Sequence, residues 1–279
     1  MRVDRLLREA AARLADAGSP TPRLDAEVLL GHVLGRERSW LYTWNDHCVE
    51  GFARARFAAL IAARAAGEPV AYLTGEREFW GLALGTQAAT LIPRPDTECL
   101  VETALALMPA TPRRILDLGT GSGAIALALA SERPAWRVVG VDRIAEAVAL
   151  ASANARRLGI ANAEFGISDW FSALAGRRFE LIVANPPYLA ADDPHLECGD
   201  VRFEPRSALV AGDDGLADLR YLVEAAHDYL TANGWLLLEH GMAQGEAVRE
   251  ALHRAGYVDV ATRADLAGLS RVSLGRRDG

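Results

Sequence analysis

Beyond residue 97 the chain alternates between short apolar runs and segments of helical periodicity. The runs cover residues 114–117, 136–142, 179–184 and 234–239. Helical spacing fills the gaps at about 122–132, 144–158, 215–232 and 243–255. Apolar runs this short, separated by helices, bury their side chains by pairing in a parallel sheet with helices on both faces. The predicted class is therefore α/β with a mostly parallel sheet. In such sheets ligands bind beyond the carboxyl ends of the strands, so the residues closing each run carry the functional information.

The first run opens into Asp117-Leu118-Gly119-Thr120-Gly121-Ser122-Gly123-Ala124. Glycines at a strand-to-helix turn let the backbone approach a ligand closely. The second run ends at Asp142, 19 residues past Gly123. A carboxylate there can accept hydrogen bonds from both hydroxyls of a ribose. Loop and acid together predict a nucleoside cofactor. Gly119-x-Gly121-x-x-Ala124 also satisfies a dinucleotide fingerprint, so this loop alone leaves NAD open. No site for a hydride partner accompanies it.

The third run ends at Asn185-Pro186-Pro187-Tyr188. Two prolines cannot donate ladder hydrogen bonds, so the strand stops and a stiff loop begins. An amide or exocyclic amino nitrogen is planar, and its lone pair is delocalised. The Asn185 side-chain oxygen and the Pro186 carbonyl are acceptors that would orient its N–H groups. Tyr188 would pack on the planar group, and Pro187 stiffens the turn. Such a site needs no strong base. Positioning alone can contribute roughly 7–11 kcal/mol.

All 30 basic residues are Arg. The absence of Lys excludes a Walker A loop of the usual form, a Schiff-base or nucleophilic Lys, and the kinase β3 Lys. No run of 18 apolar residues predicts a membrane span, and Met1-Arg2-Val3-Asp4-Arg5 lacks the apolar stretch of a signal peptide. Cys48, Cys99 and Cys198 are odd in number and far apart, which predicts free thiols in a reducing compartment. No Cys/His spacing predicts a metal site. The formal net charge of −7 is uneven. Residues 1–75 carry ten Arg against nine acids, and residues 76–279 carry 20 against 28. An acidic main part repels a polyanion.

Residues 1–75 read as helical. Val3, Leu6, Leu7, Ala10 and Leu14 share one face, and Gly18-Ser19-Pro20 ends that helix. Thr21-Pro22 reads as an N-cap with proline in the first turn, and Gly35 as the following C-terminal cap. Phe57, Leu60 and Ile61 mark a further helix ending near Gly67. Residues 76–92 read as a hairpin linker. Phe79-Trp80-Gly81-Leu82 is expected to pair with Ala89-Thr90-Leu91-Ile92 across Gly85-Thr86. Residues 93–279 read as the α/β domain.

Asp117-x-Gly-x-Gly-x-Gly123 resembles the first motif of class I S-adenosylmethionine-dependent methyltransferases. The resemblance implies a Rossmann-like sheet, with Asp117 near the methionine end of the cofactor and Asp169-Trp170 where such enzymes hold adenine. It implies cofactor contacts from Gly119, Thr120, Gly121, Ser122, Gly123, Asp142, Trp170 and Asn185. Asn-Pro-Pro-Tyr resembles two groups, which modify adenine amino groups or glutamine amides. Glu78-Phe79-Trp80-Gly81 and Leu91-Ile92-Pro93-Arg94-Pro95-Asp96-Thr97-Glu98 are similar to the glutamine methyltransferases of peptide chain release factors. So are Gly199-Asp200-Val201-Arg202-Phe203-Glu204-Pro205-Arg206 and Leu238-Glu239-His240-Gly241. That resemblance spans essentially the full length. It implies methylation of the Gly-Gly-Gln glutamine of bacterial class 1 release factors, with Asn185, Pro186 and Tyr188 catalytic and Asn185–Tyr188 holding the glutamine. It further implies a release-factor-docking role for residues 1–75, a cytoplasmic enzyme, and neither a membrane nor a direct nucleic acid partner. Adenine-N6 nucleic acid methylation and glutamine methylation of a ribosomal protein are the alternatives. A binding module without activity is the third class, opposed by the intact Asn-Pro-Pro-Tyr. Residues 93–98 border the cofactor or cap a helix. Glu239-His240 is equally open, and His240 is left outside the site.

Overall fold

The computed structural model describes residues 1–279. The chain forms two compact units: Met1–Glu76 with Glu197–Phe203, and Arg77–Leu196 with Glu204–Gly279.

The first unit is helical: α1 (Val3–Asp16), α2 (Pro22–Leu34), α3 (Arg38–Thr43), α4 (Gly51–Ala65) and α5 (Val70–Thr74). The apolar face read in α1 is the one buried, and Leu7 and Leu14 pack with Leu29, Leu30, Phe57 and Ile61. Pro22 opens α2, and Gly35 ends it in the left-handed region at φ 60°. Thr21 does not cap with its side chain; its hydroxyl donates to Asp25 at 2.8 Å. Helices α3 and α5 span six and five residues, too short to show a period. The segment 197–203 belongs to this unit, where Asp200 accepts from the buried Arg64 at 2.6 Å.

The second unit begins with a two-stranded hairpin, β1 (Glu76–Phe79) and β2 (Leu82–Gly85). Residues 89–92 form no strand, which corrects the expected pairing. The turn lies at Trp80 and Gly81, both with positive φ (54° and 70°). This is the twist that a two-residue hairpin loop demands. Glu98 Oε1 accepts from the Trp80 backbone N–H at 2.9 Å and locks the turn.

Then follow α6 (Glu98–Leu107), β3 (Arg114–Leu118), α7 (Ala124–Glu132), β4 (Arg137–Asp142), α8 (Ala145–Leu158), β5 (Ala163–Ile167), β6 (Phe179–Ala184), α9 (Ala217–Ala226), β7 (Leu230–Glu239), α10 (Gly245–Arg254), β8 (Tyr257–Ala264) and β9 (Ser270–Arg277). The helix expected over 215–232 stops at Ala226, because β7 starts at Leu230, upstream of the run that marked it. Asn233 at φ 61° lies within that added stretch. The seven strands lie in the order β5-β4-β3-β6-β7-β9-β8. Only β9 runs against its neighbours. Alternate strand residues feed opposite cores. Ile115, Leu181, Val183 and Leu237 pack with α6 and α7. Leu116, Ile182, Leu236 and Leu238 pack with α9 and α10. The sheet is doubly wound, and no helix is long and apolar enough to cross a membrane.

Register fixes where a ligand can sit. Leu118 pairs with Val141 of β4 and with Ala184 of β6. The carboxyl ends of these three strands are therefore level, and strand order reverses between β3 and β6, the place where open α/β sheets bind ligands.

Candidate active site

The glycine loop is tied down by the acid that precedes it. Asp117 is fully buried. Its Oδ2 accepts from the Thr120 hydroxyl at 2.6 Å and from the Ala126 N–H at 3.2 Å, while Oδ1 has no partner. Burial, reinforced by the nearby Asp142 charge, pushes its pKa up to about 7 against the pull of those two hydrogen bonds. Gly119, Gly121 and Gly123 all have positive φ, which L side chains rarely adopt. A Cβ on Gly123 would press within 3.1 Å of Ala151, so this glycine serves close packing against α8.

Asp142 closes β4. Its Oδ2 accepts from the Gly121 N–H at 3.0 Å and its Oδ1 from the Ile144 N–H at 2.9 Å. Each oxygen keeps a second lone pair for a ligand. Trp170 has φ 46°, an uncommon conformation for a bulky residue. The Ser168 hydroxyl donates to the Trp170 carbonyl at 2.7 Å and accepts from the Ala173 N–H at 3.1 Å, which holds the turn. A Cβ on Gly119 would lie 3.4 Å from the Trp170 ring.

Asn185 follows β6. Its Nδ2 donates to Thr97 Oγ1 at 3.2 Å. Glu239, the last residue of β7, is 1% exposed. Burial pushes its pKa up to about 7, although the polar Thr97 and Asn185 side chains and the Arg271 charge pull it down. Burial pushes the Tyr188 hydroxyl up to about 12, so it stays neutral. Its carbonyl accepts from Gln244 at 3.0 Å.

These elements surround a cleft of about 960 Å³, open to solvent. Gly119, Thr120, Gly121, Ser122, Asp142, Trp170, Asn185 and Pro187 line it together. Asp117, Gly123, Pro186 and Tyr188 are not in its lining. The sequence reading missed Ser168, Ser207 and Asp218 in the wall. It left Thr97 and Arg94, which also line the cleft, between two roles. Arg94 Nη2 lies 2.7 Å from both carboxylate oxygens of the buried Glu204. Glu239 carried the same signal as Asp117 and Asp142, an acid at the end of an apolar run. Glu98 fastens the hairpin. His240 is fully buried, donates through Nδ1 to the Gly241 carbonyl at 2.8 Å and lies 2.9 Å from Ser273 Oγ through Nε2. Burial lowers its pKa, so the neutral ring accepts from Ser273.

The fold and the cleft define a class I methyltransferase. The chain is 54% identical to the release factor glutamine methyltransferase of Escherichia coli over 99% of both chains. It is 58% identical to that of Pseudomonas aeruginosa over 92% of this chain and 94% of the other. It belongs to the release factor glutamine methyltransferase family. Residues 5–75 match the PrmC N-terminal domain, and residues 96–201 match the methyltransferase small domain. Among solved structures, a T. thermophilus 16S rRNA N2 methyltransferase in complex with AdoMet and guanosine has a similar fold. Its TM-score is 0.51 at 22% identity, over 72% of this chain and 49% of that one.

Proposed function

We propose that the chain transfers a methyl group from S-adenosylmethionine to the side-chain amide nitrogen of the Gly-Gly-Gln glutamine in bacterial class 1 release factors. The observation that carries this reading is Asn185 in the cleft wall with its Nδ2 taken by Thr97. The amide oxygen is left as an acceptor in the same cleft that Asp142 lines.

The residues present fit the cofactor. Gly119 keeps free the slot beside Trp170 that a Cβ would narrow to 3.4 Å. Asp117 Oδ1 is a buried acceptor without a partner at the base of the loop. When bound, S-adenosylmethionine supplies an electrophilic methyl carbon. Asp142 would accept from the ribose hydroxyls, Trp170 would carry the adenine on its face, and Gly119 to Gly123 would admit the methionine end. The T. thermophilus neighbour, solved with AdoMet in a similar fold, supports this assignment.

The chain's own residues then act on the glutamine. Asn185 Oδ1 and the Pro186 carbonyl accept its two N–H groups, and Tyr188 packs on its plane. This fixes the nitrogen and holds electron density on it. The proton leaves to water after transfer. The helical unit docks the release factor, and the reaction takes place in the cytoplasm. The names of the 54–58% identical relatives support the substrate.

Incubation with methyl-labelled cofactor and purified release factor, followed by peptide mass spectrometry, tests the reading. The label is expected on the Gly-Gly-Gln glutamine. Label only on nucleic acid or on a ribosomal protein overturns it.

A further inference from the structure

Asn185 meets a requirement that its residue type alone does not satisfy. An amide is nearly symmetric in shape, and a half-turn about its last torsion exchanges oxygen for NH₂. Only the oxygen-forward state accepts an N–H from a substrate; the reversed state presents donors to donors. Something behind Asn185 must choose. We infer that Glu239, acting directly and through Thr97, holds the Asn185 amide with its oxygen toward the cleft, and is a positioning residue for methyl transfer. This rests on the amide-methylation reading above.

The sheet brings the two residues together. Ala184 pairs with Leu238 across β6 and β7, so Asn185 and Glu239 are the next positions on neighbouring strands, which lie about 4.8 Å apart. Alternation puts both on the α6 face. Val183 and Leu237, two residues earlier, belong to the core packed with α6, while Ala184 and Leu238 belong to the opposite one. Thr97 stands at the start of α6, on that same face, and Nδ2 of Asn185 reaches its Oγ1 at 3.2 Å.

A hydroxyl alone would not set the flip, because it both donates and accepts. An ionised carboxylate only accepts. Register sets the Glu239 carboxylate beside Asn185 and the start of α6, and both Thr97 and Asn185 favour its ionised form. Thr97 Oγ1 spends a lone pair on the Asn185 NH₂, which leaves its proton for the Glu239 carboxylate. Polarity runs in one direction from carboxylate to hydroxyl to amide. Thr97 is 4% and Glu239 1% exposed, so water does not substitute. Glu239 Oε2 has no hydrogen-bond partner. A buried carboxylate with an open acceptor is costly, and its burial is explained by the polarity it imposes. The groups that feel its charge are Arg271 on β9, Asp96 in the turn before α6, Tyr188 and Cys99. Arg271 is shared between Asp96 and Asp265, each at 3.2 Å. Protonating Glu239 would make it a donor and release the amide.

The test compares E239Q with the parent on release factor, with cofactor affinity measured by calorimetry. Glutamine keeps the shape but can donate. The kcat is expected to fall about 100-fold, the scale of losing one oriented hydrogen-bonding group in an active site, with the cofactor Kd unchanged within about threefold. The parent's kcat should fall as pH drops through about 7, and E239Q should lose that limb. If E239Q fails to fold, T97V and T97S replace it: T97V should lose kcat and T97S should recover most of it. Parent-like kcat in E239Q, or equal losses in T97V and T97S, overturns the positioning role and leaves amide methylation standing. A parent enzyme that leaves release factor unlabelled overturns instead the reading beneath it.

Discussion

The Thr120 hydroxyl donates to Asp117 at 2.6 Å across the glycine loop. The acid before the loop is thus a structural anchor as well as a charge at its base. Burial raises its pKa from the ordinary 3.8 to about 7. The folded chain therefore binds this proton more tightly than the unfolded chain does. The associated stability is fully present below about pH 4 and is lost as pH rises through about 7. Asp117→Asn carries no such proton. Urea unfolding of both proteins across that range is expected to shift the difference in the variant's favour as pH rises, by up to a few kcal/mol. A difference that does not move with pH would remove burial as the cause.

Trp170 is held in the left-handed region at φ 46° by the Ser168 hydroxyl. If its ring carries the adenine, Trp170→Ala should weaken cofactor binding by about 1–3 kcal/mol, the usual worth of one base stacked on an aromatic ring. Ser168→Ala should weaken it less, because the ring remains while its turn loosens. Calorimetric titration measures both. Equal affinity for all three proteins would place the adenine elsewhere.

Asp142 is legible in the sequence because it closes an apolar run, and a sheet of this kind exposes its strand ends to ligand. Trp170 follows β5, which shows no such run, and is reached only through the family resemblance. Strand β5 escaped notice because its residues are mostly half-exposed and include two polar or glycine positions. The reversed strand β9 and its partner β8 lie at the opposite edge, where polar residues dilute the apolar signal. The hairpin was misregistered because a Trp at positive φ lacks the Asn-Gly signature of such turns. Thr97 and Glu204 could not be assigned by spacing. They reach Asn185 and Arg94 across 88 and 110 residues, and only the fold closes those distances.

Asn185 tests the chemistry rather than the cofactor site. Asn185→Ala removes the acceptor but leaves the glycine loop, Asp142 and Trp170 in place. The expected result is a loss of about 10²–10³ in kcat, with cofactor affinity changed by no more than a few-fold. Single-turnover assays on release factor and calorimetry separate the two. Near-parent turnover would remove Asn185 from the mechanism.

The helical unit offers a test independent of methyl transfer. Arg64 is 8% exposed and donates to Asp25 at 2.7 Å and to Asp200 at 2.6 Å. The two acids differ in burial: the Asp25 side chain is 8% exposed and that of Asp200 36%. Removing one partner of a buried pair leaves an uncompensated charge, which costs about 3–5 kcal/mol. Arg64→Met should approach that range, since Asp25 cannot rehydrate where it stands. Asp25→Asn should cost less, because Asp200 still neutralises Arg64. Asp200→Asn should cost least, because its carboxylate is already partly solvated and Asp25 keeps the guanidinium. Chemical denaturation of the three variants checks the order. An Asp200→Asn loss equal to that of Arg64→Met would mean that segment 197–203, rather than the buried Asp25 pair, holds this unit together.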